Sequence, residues 1–155
     1  MKSMKSKILI IAWLFFIPLV TFATPMNKLT PDDRTFNNDT TTFKGHIENA
    51  EFQVWLDIDF YKQNIIVPRQ EVFGEVAGYL GAKRDTRKWI ISDVKIRGEV
   101  ATLTIINDYG SEDLIATLTH NIDGTFTFRQ VQGSIIKIVV NSKWVKLPKT
   151  MVFKP

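Results

Sequence analysis

The sequence contains no cysteine among its 155 residues. It therefore forms no disulfide and no metal site built on thiolates. The same absence excludes a bacterial lipoprotein, because the lipid of such a protein is attached to a cysteine at its cleavage site. A chain without these covalent supports has to be stabilised by its hydrophobic core.

Histidines and catalytic motifs are also scarce. His46 and His120 are the only histidines, and they fall on different predicted strands. A zinc site would need both of them and a carboxylate to meet in space. The sequence has no Gly-x-Ser-x-Gly motif, nucleotide-binding loop or metal signature. We therefore expect a protein that is not an enzyme, with no catalytic residue, cofactor or metal site.

The longest uncharged apolar run lies near the start of the chain, over residues 8–20, after three lysines. It is shorter than a membrane-spanning helix, which needs about 20 apolar residues. Small residues after the run suit cleavage after Ala23. We predict a cleavable secretory signal over residues 1–23 of a bacterial protein that is periplasmic or secreted. An uncleaved anchor is the alternative.

Charge is distributed unevenly along the chain. Its 20 basic and 16 acidic residues give a formal net charge of +4, but three of the lysines lie in the predicted signal. The remaining charge is nearly balanced, so we expect no nucleic-acid partner. Residues 124–155 nevertheless hold six basic side chains and no acidic one. This lysine-rich end could meet an anionic partner, or its lysines could keep strand edges from aggregating.

Short β-rich runs separated by turn residues begin at Phe43. In the clearest run, residues 52–60, apolar side chains fill every second position, the pattern of a strand with one buried face. Turn chemistry marks residues 108–111, Asp123-Gly124 and Asn141-Ser142. Residues 70–76 are the best helix candidate. The other predicted strands are 43–47, 64–67, 72–80, 88–96, 100–107, 114–121, 125–130, 134–140 and 143–153. Pro148 is expected to interrupt the last strand or to confine it to a sheet edge.

The number of short β-rich runs predicts the architecture. We expect an all-β fold, an antiparallel meander of about eight to ten short strands closed into a small up-and-down barrel, with a sandwich as the alternative. Residues 24–42 would be a flexible arm and residues 43–155 a single domain. An outer-membrane barrel is a further alternative. Charged residues in or beside the strands, such as Lys88 and Lys137, favour a soluble domain instead.

Two aspartates on the clearest strand form the first candidate site. Asp57 and Asp59 are two residues apart, so they are predicted on one face of the strand. Such a pair can bind a divalent cation or share a proton, or it can simply face solvent. Trp55 is large for a solvated face, which suggests a binding surface.

Two charged connections form the other candidates. Residues 81–88 are predicted as a basic loop in which Arg84 and Arg87 could clamp a phosphate or carboxylate, while Trp89 could stack on a sugar or plug the core. Residues 107–113 are acidic, and their oxygen ligands would suit calcium. Their spacing fails the EF-hand pattern, so a structural turn is favoured. The acidic residues concerned are Asp108, Glu112 and Asp113.

A signal followed by a glycine-punctuated β meander resembles the small exported barrels of the lipocalin or avidin kind. The lipocalin Gly-x-Trp is absent, since His46-Ile47 follows Gly45. The resemblance is to an architecture and does not establish function. We expect a binding module whose barrel interior or open end holds a small apolar or amphipathic ligand, with a cavity among Phe52, Val54, Leu56 and Ile58. The alternative is an inhibitor or immunity protein that binds an envelope protein through exposed loops, and a structural envelope component comes third. We expect membrane contact only during export.

Overall fold

The computed structural model describes residues 40–155, so the predicted signal and most of the predicted arm lie outside the described residues. Strands account for most of this part of the chain. They are β1 (Lys44–Asn49), β2 (Val54–Asp59), β3 (Ile65–Ile66), β4 (Glu75–Val76), β5 (Gly78–Ala82), β6 (Asp85–Arg97), β7 (Val100–Asn107), β8 (Asp113–His120), β9 (Phe126–Gly133), β10 (Lys137–Val140), β11 (Lys143–Lys146) and β12 (Thr150–Phe153).

Eight of the strands form one antiparallel sheet in the order β1-β2-β5-β6-β7-β8-β9-β12. Its two edge strands meet, because the backbone N–H of Glu48 donates to the carbonyl of Lys154 at 2.7 Å and the reverse bond is 2.8 Å. This seam is a single bridge pair. The sheet is therefore a nearly closed barrel, and the predicted all-β meander is confirmed.

The interior of the barrel is filled by alternate side chains of its strands. The inward residues of β7, namely Ala101, Leu103 and Ile105, are fully buried, and the inward residues of β2 and β8 are no more than 2% exposed. Such burial, at about 25 cal/mol per Å² of apolar surface, is the main term that stabilises a domain without disulfides. The alternate apolar residues within 52–60 thus lie on the buried face of the strand, as the sequence predicted.

Aromatic and aliphatic side chains close both ends of the barrel. At one end Phe43 stacks on Phe60 with ring centroids 5.7 Å apart and lies 6.1 Å from Phe126. At the other end the hairpin of β10 and β11 brings Ile136 and Ile138 into the same core as Trp89. The predicted turn at Asn141-Ser142 joins these two strands, and both residues have positive φ, 50° and 62°. That geometry matches the right-handed twist of a hairpin.

A small second layer covers part of the outer surface of the barrel. The β3–β4 hairpin and a 3₁₀ turn at Glu71–Phe73 place Val67 and Val76 against Tyr79 and Ile90, which point outward from the barrel wall. The helix candidate over residues 70–76 therefore forms only this 3₁₀ turn, and the unbroken strand predicted over residues 72–80 is wrong. Gly74, at a φ of 66°, turns the chain between the two segments. No helix in residues 40–155 is long and apolar enough to cross a membrane.

The basic loop expected over residues 81–88 is also wrong. Strand β5 continues to Ala82, β6 begins at its cross-strand partner Asp85, and only Lys83 and Arg84 connect them. Arg87 and Lys88 therefore lie within β6 and not in a loop. Hydrogen bonds to Asp85 hold the start of this strand. The carboxylate of Asp85 accepts the backbone N–H of Arg87 at 3.1 Å and that of Val139 at 2.6 Å.

Candidate functional site

An open groove of about 560 Å³ lies on the outside of the barrel, beside the turn between β5 and β6. We call it the outer groove. Outward positions of β2, β5 and β6 form its floor, and the turn after Val67 forms part of its rim. It is lined by Trp55, Pro68, Arg69, Tyr79, Ala82, Lys83, Arg84, Asp85, Thr86 and Lys88.

Trp55 lies over a glycine of the neighbouring strand. Trp55 and Gly81 are cross-strand partners. A Cβ atom at Gly81 would fall 2.5 Å from the indole Cζ2, closer than real Cβ contacts allow. Glycine is therefore required for the indole to lie flat on β5, with its outer face toward the groove.

Asp57 holds three side chains of this face together. Its Oδ2 accepts the indole N–H of Trp55 at 3.0 Å, and its Oδ1 lies 2.6 Å from Nδ1 of His46. The hydrogen bond with Asp57 is also the main reason that the pKa of His46 is raised, and a second bond, to Glu48, adds to the effect. Burial and the same carboxylate raise the pKa of Tyr79 to about 12. The groove therefore presents Tyr79 as a neutral phenol.

Lys88 stands between the two aromatic rings of the groove. Its Nζ lies 5.4 Å from the centroid of the Trp55 ring and 5.9 Å from that of Tyr79. Burial lowers the pKa of Lys88, although nearby carboxylates, with Asp85 the foremost, partly restore it. A cation over two ring faces is a cation–π arrangement. It leaves a fixed positive charge at the centre of an aromatic surface.

Three further basic side chains surround Lys88. Arg69 follows Pro68 in a turn closed by a bond from the Gln70 N–H to the Val67 carbonyl. Lys83 and Arg84 form the exposed tip of the β5–β6 hairpin. The only carboxylate in the lining belongs to Asp85. It is 5% exposed and paired with Arg87. The carboxylates of Asp85, Asp108 and Asp57 offset part of the charge of Lys88, and Arg69, Lys83 and Arg84 add further positive charge at the groove.

Asp59 does not join Asp57 in a shared site. Its side chain is 5% exposed and pairs with Lys44 at 3.2 Å. It also accepts the backbone N–H groups of Tyr61 and Lys62. Burial raises the pKa of Asp59, but the bonds from Lys62 and Lys44 outweigh it and hold the pKa below its usual value. Asp59 therefore fixes the turn after β2.

Arg87 and Trp89 point away from the outer groove. Trp89 faces the barrel interior at 4% exposure and donates its indole N–H to the carbonyl of Lys137 at 3.3 Å. Arg87 pairs with Asp85, and its guanidinium lies 4.1 Å from the centroid of the Trp144 ring. Of the predicted arginine clamp, Arg84 lines the outer groove together with Trp55, whereas Arg87 does not.

The predicted acidic connection is a tight turn organised by Asn107. The side-chain carbonyl of Asn107 accepts the backbone N–H of Ser111 at 2.9 Å. Glu112 pairs with Lys137 at 2.8 Å, and Asp108 accepts the backbone N–H of Lys88 at 3.0 Å. Asp113 is exposed at the start of β8. Within residues 40–155, no group of three or more acidic, histidine or cysteine side chains could hold a metal ion.

Sequence reasoning missed Tyr79 and Arg69 as members of this groove. Tyr79 sits opposite Asp57 in the pairing of β2 with β5, but the chain makes a long excursion between those two strands. That register could not be read from periodicity alone. Arg69 carried a usable signal, since it follows a proline at a turn, where the next position often has positive φ.

The chain matches no protein-family model, no curated protein and no solved structure in the three comparisons made. Its function is therefore inferred from the outer groove and the surfaces around it.

Proposed function

We propose that this chain is an exported, non-enzymatic binding module that takes an anionic, ring-bearing ligand in the outer groove. One observation carries the proposal: Lys88 lies between the rings of Trp55 and Tyr79, with Arg69 and Arg84 at the rim. Export rests on the predicted signal over residues 1–23.

The chemistry of the groove fits an acidic sugar. Indole and phenol rings stack on the flat apolar face of a pyranose ring, and the phenol oxygen offers a hydrogen bond. Guanidinium groups bind carboxylates through two parallel N–H bonds. A uronic-acid oligosaccharide has both features, so it is the ligand class that we propose.

The filled interior supports a site on the outside of the barrel. A carrier of internal ligands needs a cavity, whereas Leu56, Leu103 and Phe128 are fully buried at its centre. Apolar side chains point inward, and polar ones such as Asp93 and Lys95 point outward. That arrangement is the reverse of a lipid-embedded barrel and supports a soluble domain.

Titration calorimetry with oligogalacturonate tests the proposal, and a neutral cello-oligosaccharide serves as the comparison ligand. We expect binding of the acidic sugar alone. The substitutions Trp55→Ala and Arg84→Gln should each weaken it about tenfold, from the loss of one stacking contact or one charged hydrogen bond. Lys95→Gln removes an exposed lysine elsewhere on the barrel wall and should leave the affinity unchanged.

Two results would contradict the proposal. Equal affinity for the neutral sugar would show that the basic residues do not discriminate between acidic and neutral sugars. Binding that survives both Trp55→Ala and Arg84→Gln would place the site elsewhere on the chain.

A second candidate function is an inhibitor or immunity protein that binds an envelope protein. The observation that favours it is the exposed two-residue tip, Lys83 and Arg84, which projects from a barrel with a filled core. A photo-crosslinking residue in place of Arg84 should then give one protein adduct in the producing cells. The same residue in place of the exposed Arg97 is the control, and adducts of equal yield at both positions would remove this candidate.

A further inference from the structure

The hairpin of β10 and β11 presents a second surface, apart from the outer groove. Trp144 is 61% exposed and Val145 is 40% exposed, and all four residues of β11 lie on the surface. The strand reads Lys-Trp-Val-Lys. Val145 lies on the same face of the hairpin as the buried Ile138, whereas Trp144 lies on the opposite face. A large exposed aromatic side chain of this kind can mark a contact surface.

This hairpin is anchored firmly at its base. The backbone N–H of Val139 donates to the buried carboxylate of Asp85, and the Lys137 carbonyl accepts the indole N–H of Trp89. Val139 is the cross-strand partner of Trp144. Arg87 covers one face of the Trp144 ring, at 4.1 Å from its centroid. Trp144 is therefore held outward by its neighbours, with its other face and edge free for contact.

The surroundings of Trp144 are strongly basic. Lys143, Lys146 and Lys149 are all exposed. Within residues 40–155, none of the three has a carboxylate within ion-pairing distance, although Arg87 and Lys137 nearby are paired. The lysine-rich end noted in the sequence thus places three free ammonium groups beside an exposed tryptophan.

We propose that this hairpin docks on an anionic lipid surface, with Trp144 entering the headgroup region. Tryptophan prefers the boundary between headgroups and hydrocarbon. Each lysine near an anionic surface contributes attraction of about 1 kcal/mol. A soluble acidic partner would satisfy the lysines alone, whereas lipid also accounts for the exposed Trp144. This proposal is independent of the outer groove, which lies on the other side of the β5–β6 hairpin.

Co-sedimentation with lipid vesicles tests the proposal on the protein recovered from its producing cells. Vesicles containing phosphatidylglycerol are compared with vesicles of phosphatidylcholine alone. We expect partitioning onto the anionic vesicles only, decreasing with added salt, together with a blue shift of tryptophan fluorescence. Trp144→Ala should abolish the blue shift and weaken partitioning about tenfold. Each of Lys143→Gln and Lys146→Gln should weaken it about fivefold.

Matched controls separate the hairpin from the rest of the chain. Lys95→Gln removes an exposed lysine from β6, and Ile122→Ala removes an exposed apolar residue from the turn between β8 and β9. Neither should change partitioning. Every variant has the same N-terminus, so the differences between variants report the hairpin alone. Trp144→Ala should also leave sugar binding in the outer groove unchanged.

Three outcomes would overturn the proposal. Equal partitioning onto both kinds of vesicle would remove the role of charge, and an unchanged Trp144→Ala variant would remove the role of the hairpin. Lysine-dependent binding to soluble polyglutamate, without partitioning onto vesicles, would assign this surface to an acidic protein.

Discussion

Asp57 accepts hydrogen bonds from Trp55 and His46 while its own side chain remains 29% exposed. A carboxylate in this position would repel an anionic ligand if it faced the groove unpaired. Its oxygens are instead turned to the indole and the imidazole, so its charge is partly neutralised and its geometry fixes Trp55. We assign Asp57 a positioning role for the binding surface.

The bond between His46 and Asp57 predicts a pH dependence of stability. Because the folded-state pKa of His46 is raised above its usual 6.5, folding favours the protonated imidazole. The stabilisation is fully present below pH 6.5 and is lost as the pH rises through the folded-state pKa. The difference in unfolding free energy between the wild type and His46→Gln, measured by urea denaturation, should therefore be largest at acid pH.

An NMR titration of His46 supplies the control for this prediction. In Asp57→Asn the main cause of the shift is gone, so the pKa of His46 should fall toward its usual value. A difference in unfolding free energy between the wild type and His46→Gln that stays constant as the pH rises from 6.5 through the folded-state pKa would contradict the prediction.

Arg69 occupies a backbone conformation that suits glycine. Its φ is 66°, which costs a residue with a side chain about 1 kcal/mol relative to glycine. Arg69→Gly should therefore raise the free energy of unfolding by about that amount in urea denaturation and weaken binding of oligogalacturonate. Arg69→Ala should weaken binding equally without the gain in stability. Loss of stability in Arg69→Gly would show that the arginine side chain supports the turn.

At the scale of the elements, two glycines set how β5 approaches β2. A Cβ atom at Gly78 would lie 2.4 Å from the backbone oxygen of Asp57, so the strands themselves are in close contact there. At Gly81 the three atoms nearest to an added Cβ atom all belong to the Trp55 ring. Gly78 therefore allows the close approach of β5 to β2, and Gly81 allows the Trp55 ring to lie on β5 beside the outer groove.

The two glycines predict different effects of the same substitution. Gly78→Ala should destabilise the protein by about 1–3 kcal/mol, because backbone has to move. Gly81→Ala should cost less, because the half-buried indole can turn outward, but it should weaken sugar binding and shift Trp55 fluorescence. Urea denaturation and calorimetry on both variants check this. A larger loss of stability in Gly81→Ala would contradict the assignment.

The fold was more predictable than the site because alternation reports burial of one face. Residues 52–60 predicted β2 correctly, since their apolar side chains fill the barrel. The same alternation made Asp59 look equivalent to Asp57, yet Asp59 is buried by its pairing with Lys44. The outer groove depends on the register that places Tyr79 opposite Asp57, and strand register is a tertiary property.

At the scale of the whole molecule, the β5–β6 hairpin separates two basic and aromatic surfaces. Trp55, Lys88 and Arg84 lie on one side, while Arg87 contacts Trp144 on the other. Arg87 and Lys88 are successive residues of β6, so their side chains point to opposite sides. A molecule docked on lipid through the second surface would leave the first one open to solutes.

The seam between β1 and β12 should be the least stable part of the barrel wall. Besides the Glu48–Lys154 bridge, the side-chain amide of Asn49 donates to the carbonyl of Val152 at 2.8 Å. In native-state hydrogen exchange, the amides of Glu48 and Lys154 should exchange faster than that of Leu103. Asn49→Ala should accelerate them further and cost about 1–3 kcal/mol.

The exposed Asn64 supplies the control for the seam, since Asn64→Ala removes an amide far from it and should change neither exchange nor stability. Equal exchange rates at the seam and at Leu103 would show that the barrel opens only as a whole.

The same seam dictates an order of assembly. Strands β5 to β9 pair with their neighbours in sequence, so each hairpin can form soon after its residues have been synthesised. The partner of β1 across the seam is β12, at the far end of the domain, and loop closure over that distance is entropically expensive. During synthesis the β1 edge therefore stays unpaired across the seam until β12 and Lys154 have been made. Pairing of these residues with β1 completes the nearly closed barrel.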